Sequence, residues 1–375
     1  MNLVLLGPVA PFRGGIAHFT TSLATASARD HTVTVVSFRR LYPRFLYPGT
    51  SDRDPGGNAF RLTMPVRFLV DVLQPLTWFQ AGREIAALRP DLVVIQWWTT
   101  FLGPCWAVVA SVLRSRRVPV TFLVHNVLPH EPRPFDRLLA RLALSRGTGF
   151  VVLGGKEENR LREFLGTRVR IGVCPLPVSD FFGSSRQDRR HARAALGLPL
   201  DRLVLLFFGF VRPYKGLTHL IEAVGLLHER GRSVSLIVAG EFWEDRSGYE
   251  RQVGRLGIAD SVRFDDRYIP DEEVGKYFSA ADIFIAPYIG GTQSASLTVA
   301  LDFGLPVIAT EPIAFGLNHL AGHGLRIVPP ADPGAIADAV EELIVQRSGP
   351  AGGVPRPDAG VQWSLLVRTL AETIP

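Results

Sequence analysis

The sequence predicts an α/β protein made of two doubly wound parallel-sheet units in tandem. Short apolar runs of strand length alternate with helical patterns from one end of the chain to the other, the mark of parallel sheets with crossover helices. The length of 375 residues exceeds one ordinary core and fits two. Between the halves, Asp180 to Arg193 loses its apolar pattern and turns polar and basic, which places a connector there.

The predicted strands of the first half are Leu3 to Leu6, Thr32 to Ser37, Leu92 to Gln96, Val118 to Val124, Gly149 to Leu153 and Val169 to Val173. Those of the second half are Leu203 to Phe208, Ser233 to Ala239, Val262 to Asp265, Ile283 to Ala286, Pro306 to Ala309 and Gly324 to Ile327. Helical spacings lie between them, the clearest being Leu217, Leu220, Ile221, Val224 and Leu227. The expected organisation is a first domain over 1–183, a linker over 184–196 and a second domain over 197–360. A Gly/Pro-rich stretch, Ser348 to Gly360, precedes a terminal helix within 361–375 that is free to dock on either domain, with packing back on the first as the expectation.

Leu92 to Leu113 carries no charge over 22 residues, long enough to span a bilayer. Gln96, Thr99, Thr100, Gly103 and Pro104 interrupt it, so it reads as a core strand followed by a helix from Cys105. Met1-Asn2-Leu3 opens directly into a strand-like run with no charged n-region, and no secretory signal is expected. Cys105 and Cys174 sit in apolar contexts and cannot build a disulfide framework, which fits a reducing, cytoplasmic compartment.

The net charge of +6 hides an asymmetry: residues 1–183 hold 22 Lys and Arg against 12 Asp and Glu, while residues 184–375 hold 19 against 23. The arginines of the basic half are grouped as Arg39, Arg40 and Arg44, then Arg114, Arg116 and Arg117, then Arg133, Arg137, Arg141 and Arg146. Such groups suit an anionic membrane surface, at the inner face of the membrane, or a phosphate-bearing partner. Solvated helix faces are the plainer alternative. No nucleic-acid motif accompanies the charge, and no nucleic-acid partner is expected.

Phe207-Phe208-Gly209-Phe210-Val211-Arg212-Pro213-Tyr214-Lys215-Gly216 places two cations on a tight loop between a buried strand and a helix. That is the carboxyl end of a strand beside a helix N-terminus, where open α/β sheets bind anions. With 38 Arg and only three Lys in the chain, Lys215 is not an incidental surface lysine. A second element of this kind is Gly290-Gly291-Thr292-Gln293-Ser294-Ala295-Ser296, which leads from the strand Ile283 to Ala286 into a helix at about Ser294. Its free N–H groups and positive dipole end also suit a phosphate, and two such elements suggest a diphosphate.

In the first half, Gly14-Gly15 opens a helix after the first strand and lets backbone amides approach an anion, although a plain tight turn reads equally well. His125 follows the strand Val118 to Val124, where a neutral imidazole can bond a sugar hydroxyl or handle a proton. Metal binding by His125, His130 and Glu131 is disfavoured, because the spacing is not that of a zinc helix and Pro129 breaks any helix there. Asp52-Arg53-Asp54 has cation-binding spacing but lies among Pro48, Gly49, Pro55, Gly56 and Gly57, and reads as a solvated surface loop.

Together these residues resemble the retaining glycosyltransferases of family four, which have the GT-B architecture of two Rossmann-like domains facing each other across a cleft. The resemblance rests on Gly14-Gly15, His125, Gly209 with Arg212, Lys215 and Gly216, Ala239-Gly240-Glu241, and Phe303 to Thr310 in that order. It implies that Arg212 and Lys215 neutralise the donor diphosphate, that His125 contacts the donor sugar, and that no metal or other cofactor is needed. Gly14, Gly15, Gly209, Gly240 and the segment Gly291, Thr292, Gln293, Ser294, Ala295 and Ser296 would line the substrate, with the nucleobase against backbone groups of Arg267, Tyr268 and Ile269.

One departure stands out. The family's two Glu separated by seven residues fall here on Gly291 and Val299, so both carboxylates are absent, and Asp302 lies one helical turn beyond Val299. The implied activity is retaining transfer of a sugar from a nucleotide diphosphate-sugar to an acceptor hydroxyl, in cell-envelope polysaccharide, glycolipid or glycoconjugate synthesis. The acceptor would be a sugar, a lipid-linked molecule or another small molecule. A nucleotide-sugar-binding but catalytically weak subunit, or another nucleotide-sugar enzyme such as an epimerase, stays open.

Overall fold

The computed structural model describes residues 1–43, 47, 49, 51–55, 62–129, 133–179, 181–317, 324–347 and 356–374. Arg44, Pro48, Gly56, Gly57, His130, Glu131, Asp180 and most of the Gly/Pro-rich stretch lie outside the described residues. The chain forms two compact units, Met1–Pro177 with Gly360–Pro375, and Val178–Ala359.

In the first unit the strands are β1 (Asn2–Leu6), β2 (Thr32–Arg40), β3 (Val66–Asp71), β4 (Leu92–Trp97), β5 (Val120–Val124), β6 (Gly149–Val152) and β7 (Ile171–Val173). They lie in the order β3-β2-β1-β4-β5-β6-β7, all parallel. Helices α1 (Gly15–Ser27), α2 (Pro75–Ala87), α3 (Gly103–Ser115), α4 (Asp136–Leu144) and α5 (Gly155–Leu165) make the crossovers. Val4, Leu6, Val93, Ile95, Phe122 and Val124 are fully buried, as expected of strands covered on both faces.

The second unit repeats the design with β8 (Leu203–Phe208), β9 (Val234–Ala239), β10 (Val262–Asp265), β11 (Ile283–Ala286), β12 (Val307–Thr310) and β13 (Leu325–Val328). The order is β10-β9-β8-β11-β12-β13, again parallel. Its helices are α6 (Arg189–Ala195), α7 (Leu217–Glu229), α8 (Ser247–Arg255), α9 (Asp271–Ala280), α10 (Ala295–Asp302) and α11 (Pro333–Arg347). In both sheets the strand order reverses at the middle, between β1 and β4 and between β8 and β11. The carboxyl ends of those strands are the places where a doubly wound sheet opens for a ligand.

The last helix, α12 (Ala359–Ala371), lies on the β6–β7 side of the first sheet. Glycines make room for it: a Cβ at Gly172 would come within 2.5 Å of Thr369, and one at Gly149 within 2.7 Å of Thr373. The Thr373 and Thr121 hydroxyls are hydrogen-bonded at 2.6 Å.

The structure departs from the sequence reading in two elements. The stretch 184–196 is not a bare linker, because it contains α6, which belongs to the second unit. Beside Ala192 its inward face carries an arginine: Arg193 is 1% exposed, pairs with Asp282 at 2.5 Å, and donates to the carbonyls of Ala280, Pro199, Leu200 and Arg202. Apolar periodicity cannot register a helix anchored by a buried ion pair. Strand β3 was not anticipated, since it is an edge strand whose Arg67 and Phe68 are exposed, and it lacks a continuous apolar run. Among the described residues no helix is long and apolar enough to cross a membrane, and Leu92 to Leu113 is divided between β4, a 3-10 turn and α3.

Candidate functional site

At the switch point of the second sheet, the loop after β8 turns through Gly209, whose φ of 102° favours glycine. Arg212, Pro213 and Tyr214 follow, Pro213–Lys215 forms a 3-10 turn, and Gly216, at φ 70°, starts α7. Gly216 also permits close packing, since a Cβ there would stand 2.1 Å from the Pro287 carbonyl in the loop after β11. Ile289 N–H donates to the Tyr214 carbonyl at 2.9 Å, so the two loops are stitched together.

This packing brings the two expected anion-binding elements to one place. The Lys215 ammonium is 5.5 Å from the centre of the Tyr288 ring. The Tyr288 hydroxyl is 3.1 Å from the Ser294 hydroxyl, which caps α10 by accepting from Leu297 N–H at 3.2 Å and lies 3.1 Å from the Ser296 hydroxyl. Thr292 and Ser294 are buried, while Gln293 and Ser296 are half-buried. Gly291, at φ 116°, makes the turn that brings the chain into α10, with Ala295 as its first residue.

Lys215 is only 9% exposed, and among the described residues no carboxylate lies within ion-pairing distance of it. A buried, unneutralised ammonium is costly, and an anionic ligand would offset that cost. Arg212 is half-buried, 5.5 Å from the Tyr214 ring centre and 5.7 Å from that of Trp243. Trp243 stacks on Phe210 at 4.3 Å, with Tyr268 at 6.4 Å from Phe210. Gly240 fits against the same loop because a Cβ on it would collide with the Gly209 carbonyl at 2.2 Å.

The Arg267 side chain is occupied elsewhere. It bonds Glu273 at 2.6 Å, Asp265 at 3.0 Å and the Tyr277 hydroxyl at 3.1 Å. The hydrogen bond to Arg267 pulls the Glu273 carboxyl down to about 2, and the same bond raises the Arg267 guanidinium. Ile269 is buried, while the half-buried Tyr268 ring lies 6.4 Å from that of Phe210. Asp302 is ion-paired with Arg186 at 2.8 Å, and Val299 is buried at 5% exposure.

In the first unit, His125 stands at the carboxyl end of β5, and its amide donates to the Trp97 carbonyl of β4. Its Nε2 is 2.7 Å from Oε1 of Gln96, and Phe19 of α1 meets its ring edge-on at 4.8 Å. Trp363 of α12 backs Phe19 at 5.1 Å. Burial lowers the imidazole to about 3, so it is neutral at ordinary pH. The chain after His125 is held by Glu157 of α5, whose fully buried carboxylate accepts from Val127 N–H.

Gly14 caps α1 at φ 101°, and a Cβ there would meet no described atom within 4 Å, so the start of α1 at Gly15 is open on that side. The Asp52-Arg53-Asp54 loop is more than a solvated loop. Arg53 bridges Phe12, Arg13 N–H donates to the Asp52 carbonyl at 3.1 Å, and Asp54 N–H donates to the Pro11 carbonyl at 2.9 Å. Among the described residues no three His, Cys, Asp or Glu side chains form a group able to hold a metal ion.

Several residues of these sites were not anticipated from sequence. Tyr288 and Trp243 act through ring contacts that leave no periodic signal. Gln96 did leave one, as the polar break in an otherwise apolar strand.

Residues 202–346 match the family model of glycosyl transferases group 1, and residues 14–177 match that of the glycosyl transferase 4-like domain. The chain is 26% identical over 278 residues to 2-deoxystreptamine glucosyltransferase of Streptomyces kanamyceticus, covering 70% of both proteins. It is 32% identical over 216 residues to D-inositol 3-phosphate glycosyltransferase of Streptomyces coelicolor, covering 56% of this chain and 45% of that one. Its fold is similar to that of Anabaena Alr3699/HepE, solved in complex with UDP and glucose, with a TM-score of 0.73 at 18% identity over 99% of this chain and 100% of that one.

Proposed function

The chain belongs to the group 1 glycosyl transferases and has the GT-B fold, and on that premise we propose that it transfers a sugar from a nucleoside diphosphate-sugar to an acceptor hydroxyl with retention at the anomeric carbon. The observation that carries this reading is the Lys215 ammonium, buried and without a carboxylate partner among the described residues, beside the start of α10. As the glycosidic bond to the leaving diphosphate breaks, negative charge grows on its oxygens. Lys215, Arg212 and the amides at Ser294 to Ser296 are fixed groups placed to stabilise that charge, without a divalent cation. Gly209 and Gly240 let the backbone approach the diphosphate, and backbone groups of Arg267, Tyr268 and Ile269 receive the base.

His125, neutral and held by Gln96, orients the donor sugar. Gly14 and Gly15 belong to the substrate-binding surface of the first unit. The basic first half suits a phosphate-bearing or lipid-linked acceptor, and the relatives named for D-inositol 3-phosphate support an acceptor of the first kind. Synthesis of a cell-envelope polysaccharide or glycolipid fits such chemistry.

A second reading, a subunit that binds nucleotide-sugar but turns it over poorly, is favoured by one observation. Gly291 and the buried Val299 stand where the sequence resemblance called for two carboxylates. Donor turnover distinguishes the two. Incubation with UDP-, GDP-, ADP- and TDP-sugars should release the nucleotide slowly from one donor in the absence of acceptor. Tight binding of that donor with no release, with or without acceptors, would favour the subunit.

A further inference from the structure

Helix α4 presents an exposed apolar face to which the donor site described above assigns no role. Phe135, Leu138 and Leu142 follow one another at helical spacing and are 72%, 67% and 37% exposed. Arg137 and Arg141 lie exposed along one side of this stripe, and the half-buried Arg146 follows the end of the helix. The inward side is fixed: Asp136 is buried, accepts from Arg133 N–H at 2.6 Å and bonds the Thr100 hydroxyl, while Ala140, Ala143 and Leu144 join the core. The outward face is therefore a settled feature of the fold.

Among the described residues of α3 and α4, every exposed charge is positive. Arg114 at the end of α3 donates to the Ser145 carbonyl at 3.5 Å, and Arg146 donates to the Ser111 hydroxyl at 2.7 Å, which adds two cations at the end of α4. Asp136, the acidic residue of α4, is buried, and α3 has none. Among the described residues, no carboxylate lies within ion-pairing distance of Arg133, Arg137 or Arg141.

We propose that this face docks on an anionic lipid surface, with Phe135, Leu138 and Leu142 entering the boundary of the acyl chains and Arg137 and Arg141 pairing with headgroup phosphates. An apolar stripe flanked by cations is the pattern of helices that lie in the plane of a membrane interface. A protein partner fits less well, because three side chains are few against the roughly 1,200 Å² of a stable protein interface. In a bilayer each inserted side chain gains its burial independently.

Vesicle sedimentation with the full chain and no donor tests this apart from the transfer reading. The wild type should pellet with phosphatidylglycerol-containing vesicles at low salt and stay in solution with phosphatidylcholine alone. The double variant Arg137→Glu/Arg141→Glu should bind about tenfold or more weakly. Phe135→Ser/Leu138→Ser should bind at low salt and lose retention at physiological salt, where screening weakens the remaining electrostatic attraction. All these side chains are exposed, so thermal unfolding should match the wild type. Equal sedimentation with neutral and anionic vesicles, or wild-type retention of both variants, would overturn the proposal. So would self-association of the chain through this face without vesicle binding.

Discussion

Nε2 of His125 and Oε1 of Gln96 lie 2.7 Å apart, joining the ends of two adjacent strands. With that oxygen turned to the ring, the neutral imidazole donates from Nε2 and keeps Nδ1 as its acceptor nitrogen. The partner of one ring nitrogen thus fixes the chemistry of the other. Phe19 and Trp363 hold the ring plane from the side, so α12 at the end of the chain supports a residue 238 positions earlier.

Gln96 therefore acts as a positioning residue. Gln96→Leu leaves the buried Nε2–H without its acceptor, at a stability cost of about 1–3 kcal/mol, and should lower kcat more than it raises KM. Gln96→Glu is the sharper test. A carboxylate at the same point favours the imidazolium, raises the His125 pKa and should bring an acid limb into the pH–rate profile near neutrality. A profile unchanged in that variant would remove Gln96 from the mechanism.

The same burial predicts a pH dependence of stability. His125 titrates at about 3 when folded and near 6.5 when unfolded. Between those values the unfolded state binds the extra proton, so this contribution is intact above about 6.5 and lost as pH falls toward 3, by on the order of 1 kcal/mol per pH unit. Thermal melts between pH 7 and pH 4 should show a shallower fall for His125→Phe than for the wild type. Parallel curves would show that the buried ring does not control the acid limb.

Arg193 and Asp282 make the second unit sensitive to one substitution. Both side chains are 1% exposed, and the carboxylate also accepts from Val204 N–H at 2.7 Å. Asp282→Ala leaves the Arg193 guanidinium buried with only carbonyl partners, which should cost about 3–5 kcal/mol of stability. A denaturant titration giving a loss of less than about 1 kcal/mol would show that the carbonyls suffice.

Much of this architecture was readable from residue pattern, for a physical reason. Parallel strands buried on both faces, such as Leu92–Trp97 and Leu203–Phe208, appear as apolar runs, and β-α alternation then dictates the crossovers. Edge strand β3 and helix α6 escaped because the first is half-solvated and the second is anchored by an ion pair. In the second unit Arg212 and Lys215 stood out as cations in the loop after β8, and in the first unit His125 stood out as a polar residue at the end of β5. The contacts that tie them to Tyr288, Trp243 and Gln96 arise only when loops distant in sequence pack together.

The central claim is that Lys215 neutralises a diphosphate. Calorimetric titration of the wild type and of Lys215→Ala with UDP, GDP, ADP and TDP tests it most directly, with Lys276→Ala, whose ammonium is already paired with Glu273, as the control. One nucleotide should bind the wild type and the control alike, and Lys215→Ala should bind it about tenfold to a hundredfold more weakly, with thermal unfolding in the absence of nucleotide no lower than that of the wild type. Equal affinity in Lys215→Ala, or no diphosphate binding by the wild type, would contradict the account.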